Sequence, residues 1–211
     1  MLKFSAIAAL ASTAQATYRI GSCPSFQAME SFDVNRYVGR WYEIVRDSMT
    51  TFELFSECVN VNYDVIEGYN GLVQVHNKNK YPAWGWNDIV GQAIQTIEGG
   101  ANLNVNFFEP ASATKYSNYH VLDTDYDNYT IVYSCSDMFG GWMSADTLWI
   151  LTREQSIDDS LLASIFDTIG EKLPHYDVVA ETHMTYQGDD WCAYNEMPDT
   201  PNPQLNPLLD M

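Results

Sequence analysis

The chain has 211 residues, 46% of them hydrophobic and 14% aromatic, with 28 acidic side chains against 10 basic ones and a formal charge of −18. This length fits one domain, or at most two small ones. So acidic a chain, with its few basic residues scattered, excludes nucleic acid and anionic lipid surfaces as electrostatic partners; the acidity reads as a solvated surface.

Met1 to Ala16 has the pattern of a secretory signal: Lys3, an apolar run from Phe4 to Ala14, and Ala14-Gln15-Ala16 as a small-x-small cleavage site. The run is too short for a membrane-spanning helix. Cleavage after Ala16 would send the protein to an oxidising compartment. There Cys23, Cys58, Cys135 and Cys192, widely spaced and without any C-x-x-C, read as two disulfides rather than a zinc site. Four cysteines allow three pairings, and spacing alone does not choose among them.

Asn35 to Arg46 joins a glycine, Gly39, to a tryptophan two residues on, Trp41, and then runs on as a strand. From there to Arg153 the sequence alternates with period two. In 58–65, Val59, Val61, Tyr63 and Val65 share one face while Asn60, Asn62 and Asp64 share the other. Such patterning predicts half-buried strands at about 38–48, 58–66, 71–78, 88–97, 102–109, 117–124, 128–135 and 146–153. Eight consecutive strands joined by turns predict an all-β fold, an antiparallel up-and-down barrel without free edges.

The connections are expected to differ in kind. The second, fourth and sixth (Glu67–Gly71, Glu98–Ala101 and Asp125–Asn128) are short and rich in hairpin-turn residues. The first, third, fifth and seventh look longer and carry Phe52, Phe55, Tyr81, Trp84, Trp86, Tyr116, Phe139 and Trp142. One end of the barrel should therefore be shut, and the other a wide mouth ringed by aromatic side chains, as in a cup for an apolar ligand. Helical spacing follows from Ser156 to Leu173, with Ser156 as the cap and one helix packed outside the barrel. Extended chain is expected at 177–185. Residues 17–192 would form one domain, and 193–211 a proline-rich disordered tail.

Three motifs in this order resemble those of the lipocalin family: Gly39 with Trp41, Thr124-Asp125-Tyr126 at a closed-end turn, and Arg153 at the end of the eighth strand. Phe32 to Ile44, Thr124 to Tyr129 and Val132 to Cys135 are similar nearly residue for residue to its apolipoprotein D-like and bacterial branch. The resemblance covers about Cys23 to Cys192. It implies that Arg153 lies across the ring of Trp41, and that these motif residues are structural. It also implies the pairings Cys23–Cys135 and Cys58–Cys192. The bacterial branch carries a lipid on a cysteine after its signal; Thr17 in that place argues against such an anchor.

The interior of the cup should be apolar, with Val61, Tyr63, Val75, Ala93, Phe107, Tyr119, Tyr133 and Trp149 as ligand contacts. Trp149 is the favoured one, a flat ring at mid-barrel, and Gly91 and Ala93 would leave room beside it. Phe52, Trp84, Trp86 and Trp142 at the mouth would act as a lid or ligand contact, or touch a membrane, a lipoprotein or a second copy. No metal site, cofactor or catalytic group is indicated: His76, His120, His175 and His183 stand far apart. Asn128-Tyr129-Thr130 is the one glycosylation sequon. The expected function is carriage of a small hydrophobic molecule of the fatty acid, steroid, retinoid or carotenoid class. The alternatives are a lipocalin-fold isomerase or epoxide-modifying enzyme, and a stress-response protein that binds membranes or a partner.

Overall fold

The computed structural model describes residues 18–50 and 53–198. The signal segment 1–16, Phe52 and most of the expected tail lie outside the described residues. Ten strands form one sheet: β1 (Tyr18–Ile20), β2 (Gly39–Asp47), β3 (Glu57–Val65), β4 (Leu72–Tyr81), β5 (Gly85–Gln95), β6 (Asn102–Asn106), β7 (Tyr119–Thr124), β8 (Tyr129–Met138), β9 (Met143–Thr152) and β10 (Thr182–Met184). Strands β2 to β9 pair in sequence order, all antiparallel, and β9 returns to β2 to close an eight-stranded barrel.

At the closing seam, Tyr42 to Arg46 of β2 pair with Trp149 to Thr152 of β9. Beyond them the edge of β9 takes β1, while β10 lies on the opposite edge of β2, where β2 and β3 have parted. Strand β1 pairs with Met143 to Ala145 of β9, and β10 pairs with Val45 to Asp47 of β2. Arg19 of β1 fastens the seam through ion pairs with Asp146 (2.8 Å) and Glu181 (2.5 Å). Both terminal segments are also tied covalently, by Cys23–Cys135 to β8 and by Cys58–Cys192 to β3.

One end is plugged. The short helix α1 (Val34–Tyr37), capped by Asp33, lies across it, and Phe32, Tyr37, Trp41, Val73, Ala93, Leu103 and Val121 pack above as a buried core. Helix α2 (Asp159–Lys172) covers the outer face of the barrel with Ile165 and Ile169 against Ile44, Leu122, Ile131, Leu148 and Ile150. Its cap is Asp158, whose carboxylate accepts from the Ser160 N–H at 2.8 Å; Ser156 lies before the helix. Residues 177–185 do not run extended throughout. Asp177 accepts from the Ala180 N–H and caps a single helical turn, α3 (Val178–Glu181), before β10 begins. A further turn, α4 (Asp189–Cys192), carries the second disulfide. The 3-10 turn Tyr194–Glu196 then places Tyr194 against Tyr42 and Trp86, so the chain from 193 to 198 lies on the barrel wall.

Two of the four mouth connections are shorter than the sequence pattern implies. Strands β4 and β5 stay paired up to Tyr81 and Gly85, leaving only 82–84 as a turn. Strands β8 and β9 stay paired up to Met138 and Met143 around a turn at Phe139–Gly141. Glycines make both turns: Gly85, Gly140 and Gly141 have positive φ, at 83°, 69° and 87°. The fifth connection is long as expected. Near it, β6 stops at Asn106, and the Asn118 side chain takes the place of a ladder partner for Val105, accepting from its N–H at 2.8 Å and donating to its carbonyl at 2.9 Å.

Candidate functional site

At the floor, the Arg153 guanidinium lies 3.7 Å from the centre of the Trp41 ring. Its Nε donates to the Tyr126 carbonyl (2.9 Å), its Nη1 to Arg40 (2.9 Å) and its Nη2 to Arg36 (3.1 Å). Trp41 is fully buried and donates its indole N–H to the Tyr37 carbonyl at 2.8 Å. Gly39 is required beside this stack: its φ is +95°, and a Cβ there would come within 3.3 Å of Arg153 Nη1. Asp125 closes the β7–β8 turn by accepting from the N–H groups of Asp127, Asn128 and Tyr129, and Thr124 donates across the turn to the Tyr129 carbonyl. Tyr126 lies under Arg36, whose Cζ is 4.2 Å from its ring centre. These residues touch one another rather than any cavity.

Above the floor is a cavity of about 320 Å³, at the lower end of the range for small-molecule pockets. Val59, Val61, Val75, Val105, Phe107, Val132, Trp149 and Leu151 supply its apolar wall. Asn77, Asn118, Ser134 and Ser136 lie around it, and it reaches the surface at Ser136 and at Tyr116, which is 80% exposed.

Six of the expected contacts, Val61, Tyr63, Val75, Phe107, Tyr119 and Trp149, line this one space. The others lie elsewhere. Ala93 is buried in the floor core. Tyr133 faces outward, because Val132 is the residue paired with Trp149 and successive side chains alternate. It packs on Phe26, and its hydroxyl donates to Asp146 at 3.0 Å. Trp86 is also on the outer face, beside Tyr194. Trp84 stacks on Tyr81 at the β4–β5 tip, and Trp142 is 80% exposed at the β8–β9 turn. The room expected over Gly91 is taken by Phe107: a Cβ at Gly91 would meet its ring at 2.6 Å.

Two polar groups in the cavity were not anticipated. The first is a chain of hydroxyls near the floor, in which Tyr63 and Tyr119 meet at 2.9 Å, Tyr119 and Tyr37 at 2.7 Å, and Tyr37 donates to Thr130 at 3.3 Å. Burial pushes the Tyr37 phenol up to about 12 and raises Tyr63 and Tyr119 as well, so all three stay neutral. The second is a pair of carboxyls, Glu43 and Glu53, that line the same cavity and are both buried. Trp149 donates its indole N–H to Glu53 at 3.2 Å, and Arg46 donates to Glu43 at 2.8 Å. Burial raises both carboxyls, Glu53 the more strongly, with the neighbouring Glu43 charge next in effect; Arg46 and the Thr185 hydroxyl oppose the rise at Glu43. The sequence holds a signal for Glu43, which shares its period-two face with Trp41. Glu53 sits in an irregular loop, where no periodicity applies.

An eight-stranded antiparallel barrel with a plugged floor and an internal apolar cavity defines a ligand cup. The chain belongs to the lipocalin family. A family model described as a lipocalin-like domain matches residues 32–181. Apolipoprotein D of Oryctolagus cuniculus is 36% identical over 172 residues, covering 80% of this chain and 86% of that protein. The outer membrane lipoprotein Blc of Vibrio cholerae is 26% identical over 156 residues, covering 72% of this chain and 83% of its own. Among solved structures, insecticyanin from the tobacco hornworm Manduca sexta superposes with a TM-score of 0.71 at 17% identity, covering 89% of this chain and 95% of that one. That last likeness is one of fold.

Proposed function

We propose that this protein is a secreted carrier that encloses a small hydrophobic molecule in the barrel cavity, with Trp149, Phe107, Tyr63, Tyr119, Val61 and Val75 as its contacts. The observation that carries this reading is the cavity itself, apolar over most of its wall and open at one end of a barrel whose other end is plugged. Affinity would come from apolar area removed from water, at about 25 cal/mol per Å² before the costs of association. The two disulfides fit an oxidising compartment. One of them holds Cys58, so this reading is of a carrier and not of a thiol-dependent isomerase. Exposed Asn128 would accept an N-linked glycan, seen as a mass lost on glycosidase treatment.

Tryptophan fluorescence tests the carrier reading. A panel of retinol, a steroid, a carotenoid and a fatty acid should give saturable quenching with at least one member, and Trp149→Phe should remove most of the signal. A flat response across the panel would overturn it.

A second reading rests on the mouth. Phe55, Trp84, Phe139 and Trp142 are 83%, 69%, 75% and 80% exposed, more large apolar surface than single scattered residues account for. We infer that these tips rest on a neutral lipid surface such as a lipoprotein or membrane. Flotation with phosphatidylcholine vesicles should carry the native protein and leave a Trp84→Ser, Trp142→Ser variant behind.

A further inference from the structure

The polar groups of the cavity favour one kind of charge. Glu43 and Glu53 both line it, and among the described residues no lysine, arginine or histidine does. The nearest cation, Arg46, already has partners: its Nη1 donates to Glu43 (2.8 Å) and Thr185 (3.4 Å), and its Nη2 to the carbonyls of Glu53 (3.1 Å) and Ser56 (2.8 Å). A ligand carboxylate would find no basic partner in the lining and would face two acidic groups. The aromatic wall points the same way, since the Trp149 indole is tied to Glu53 and Phe107, Tyr63 and Tyr119 lie around the same space. Aromatic faces attract cations, most strongly where water is excluded.

We propose that the cavity is selective for a small apolar amine, its ammonium group seated against the carboxyl pair of Glu43 and Glu53 and its apolar body against Trp149 and the valine wall. This inference rests on the carrier reading and narrows it. Two buried carboxyls in one cavity are not both ionised when the site is empty; Arg46 and Thr185 donate to Glu43, so the proton stays on Glu53. An ammonium brings a positive charge and three N–H donors to the same place. The exchange balances: RNH₃⁺ enters, the Glu53 carboxyl ionises, and its proton leaves to solvent. The other charged groups around the pair are Arg46 on β2, Glu57 on β3 acting on Glu43, and His183 on β10, paired in register with Arg46. The formal charge of −18 favours approach of a cation to the mouth.

Calorimetry of the full oxidised chain with decylamine, decanol and decanoate, at about pH 7.5 in two buffers of different ionisation enthalpy, tests this. Decylamine should bind about tenfold or more tighter than decanol, decanoate should bind weakest, and only decylamine should release about one proton. In Glu53→Gln, decylamine should bind no tighter than decanol does to the same variant, and the proton release should be lost. Decanoate binding as tightly as decylamine, or decylamine binding without proton release, would overturn the proposal. Decanol binding in that event would leave the carrier reading standing; failure of all three probes would remove both. If Glu53→Gln does not fold, proton release by the native protein decides alone.

Discussion

Arg153 and Trp41 stand 112 residues apart in sequence, yet the guanidinium covers the indole at 3.7 Å and hydrogen-bonds to carbonyls on both sides of it. The stack joins the first strand of the barrel to the end of the last. Trp41→Ala should cost about 3–5 kcal/mol through the cavity it leaves. Arg153→Lys keeps the charge but loses the planar fork, and should cost about 1–3 kcal/mol. Urea unfolding followed by circular dichroism measures both; wild-type stability in Arg153→Lys would contradict the role given to the fork.

Glu53 makes an opposite prediction. Its carboxyl is raised by burial, so the folded state disfavours its ionisation, and its contribution turns unfavourable as pH rises above its unfolded value near 4.3. Glu53→Gln retains an oxygen to accept from Trp149 and removes the titration. The variant should melt at a higher temperature than the native chain at about pH 8, with the difference shrinking as pH falls toward 4. Equal melting temperatures at both ends of that range would show that Glu53 is not held protonated.

His120 works with the reverse sign. Its ring lies against Phe26 at 4.7 Å, with Nδ1 2.6 Å from the Asn102 side-chain oxygen, and burial lowers its pKa to about 4. The unfolded chain, with a histidine pKa near 6.5, takes up the proton first, so stability is full above that value and declines as pH falls from about 6.5 toward 4. Subtracting the profile of His120→Gln should isolate this decline. An NMR titration that places His120 near 6.5 in the folded protein would rule it out.

Gly91 sets how far Phe107 intrudes on the cavity. A Cβ there would lie 2.5 Å from the Asn106 carbonyl oxygen as well as 2.6 Å from the ring. Gly91→Ala should therefore cost about 1–3 kcal/mol and push Phe107 into the cavity. Weaker binding of every ligand, whatever its charge, is the expected outcome, read by the same fluorescence titration. Unchanged affinity would mean the ring has another place to go.

Much of the barrel is legible in the sequence because period two is a local property: Val59, Val61, Tyr63 and Trp149 show which way they face through their neighbours. Tyr133 shows the limit. Tyr129, Ile131 and Tyr133 do share a face, as their spacing implies, but that face is turned to α2 and is as apolar as the interior. Alternation identifies two faces without saying which is inside when both are covered. The hairpin tips were hidden for a different reason. Lys80, Trp86 and Asp137 interrupt the apolar alternation, although backbone pairing continues past them. Strands β1 and β10, three residues each, are too short to carry a period, and Glu53 belongs to no period at all.

The two short strands at the rim, β1 against β9 and β10 between β2 and β3, bear on how the molecule comes apart. The lower half of the barrel is held by residues within one continuous run, from Phe32 to Arg153, while the rim is completed by β1 and β10 from opposite ends of the chain, each backed by its own disulfide. Reducing agents would thus unlace the vessel from the top. The rim would loosen while the base, held by the Trp41–Arg153 stack and free of disulfides, stayed closed.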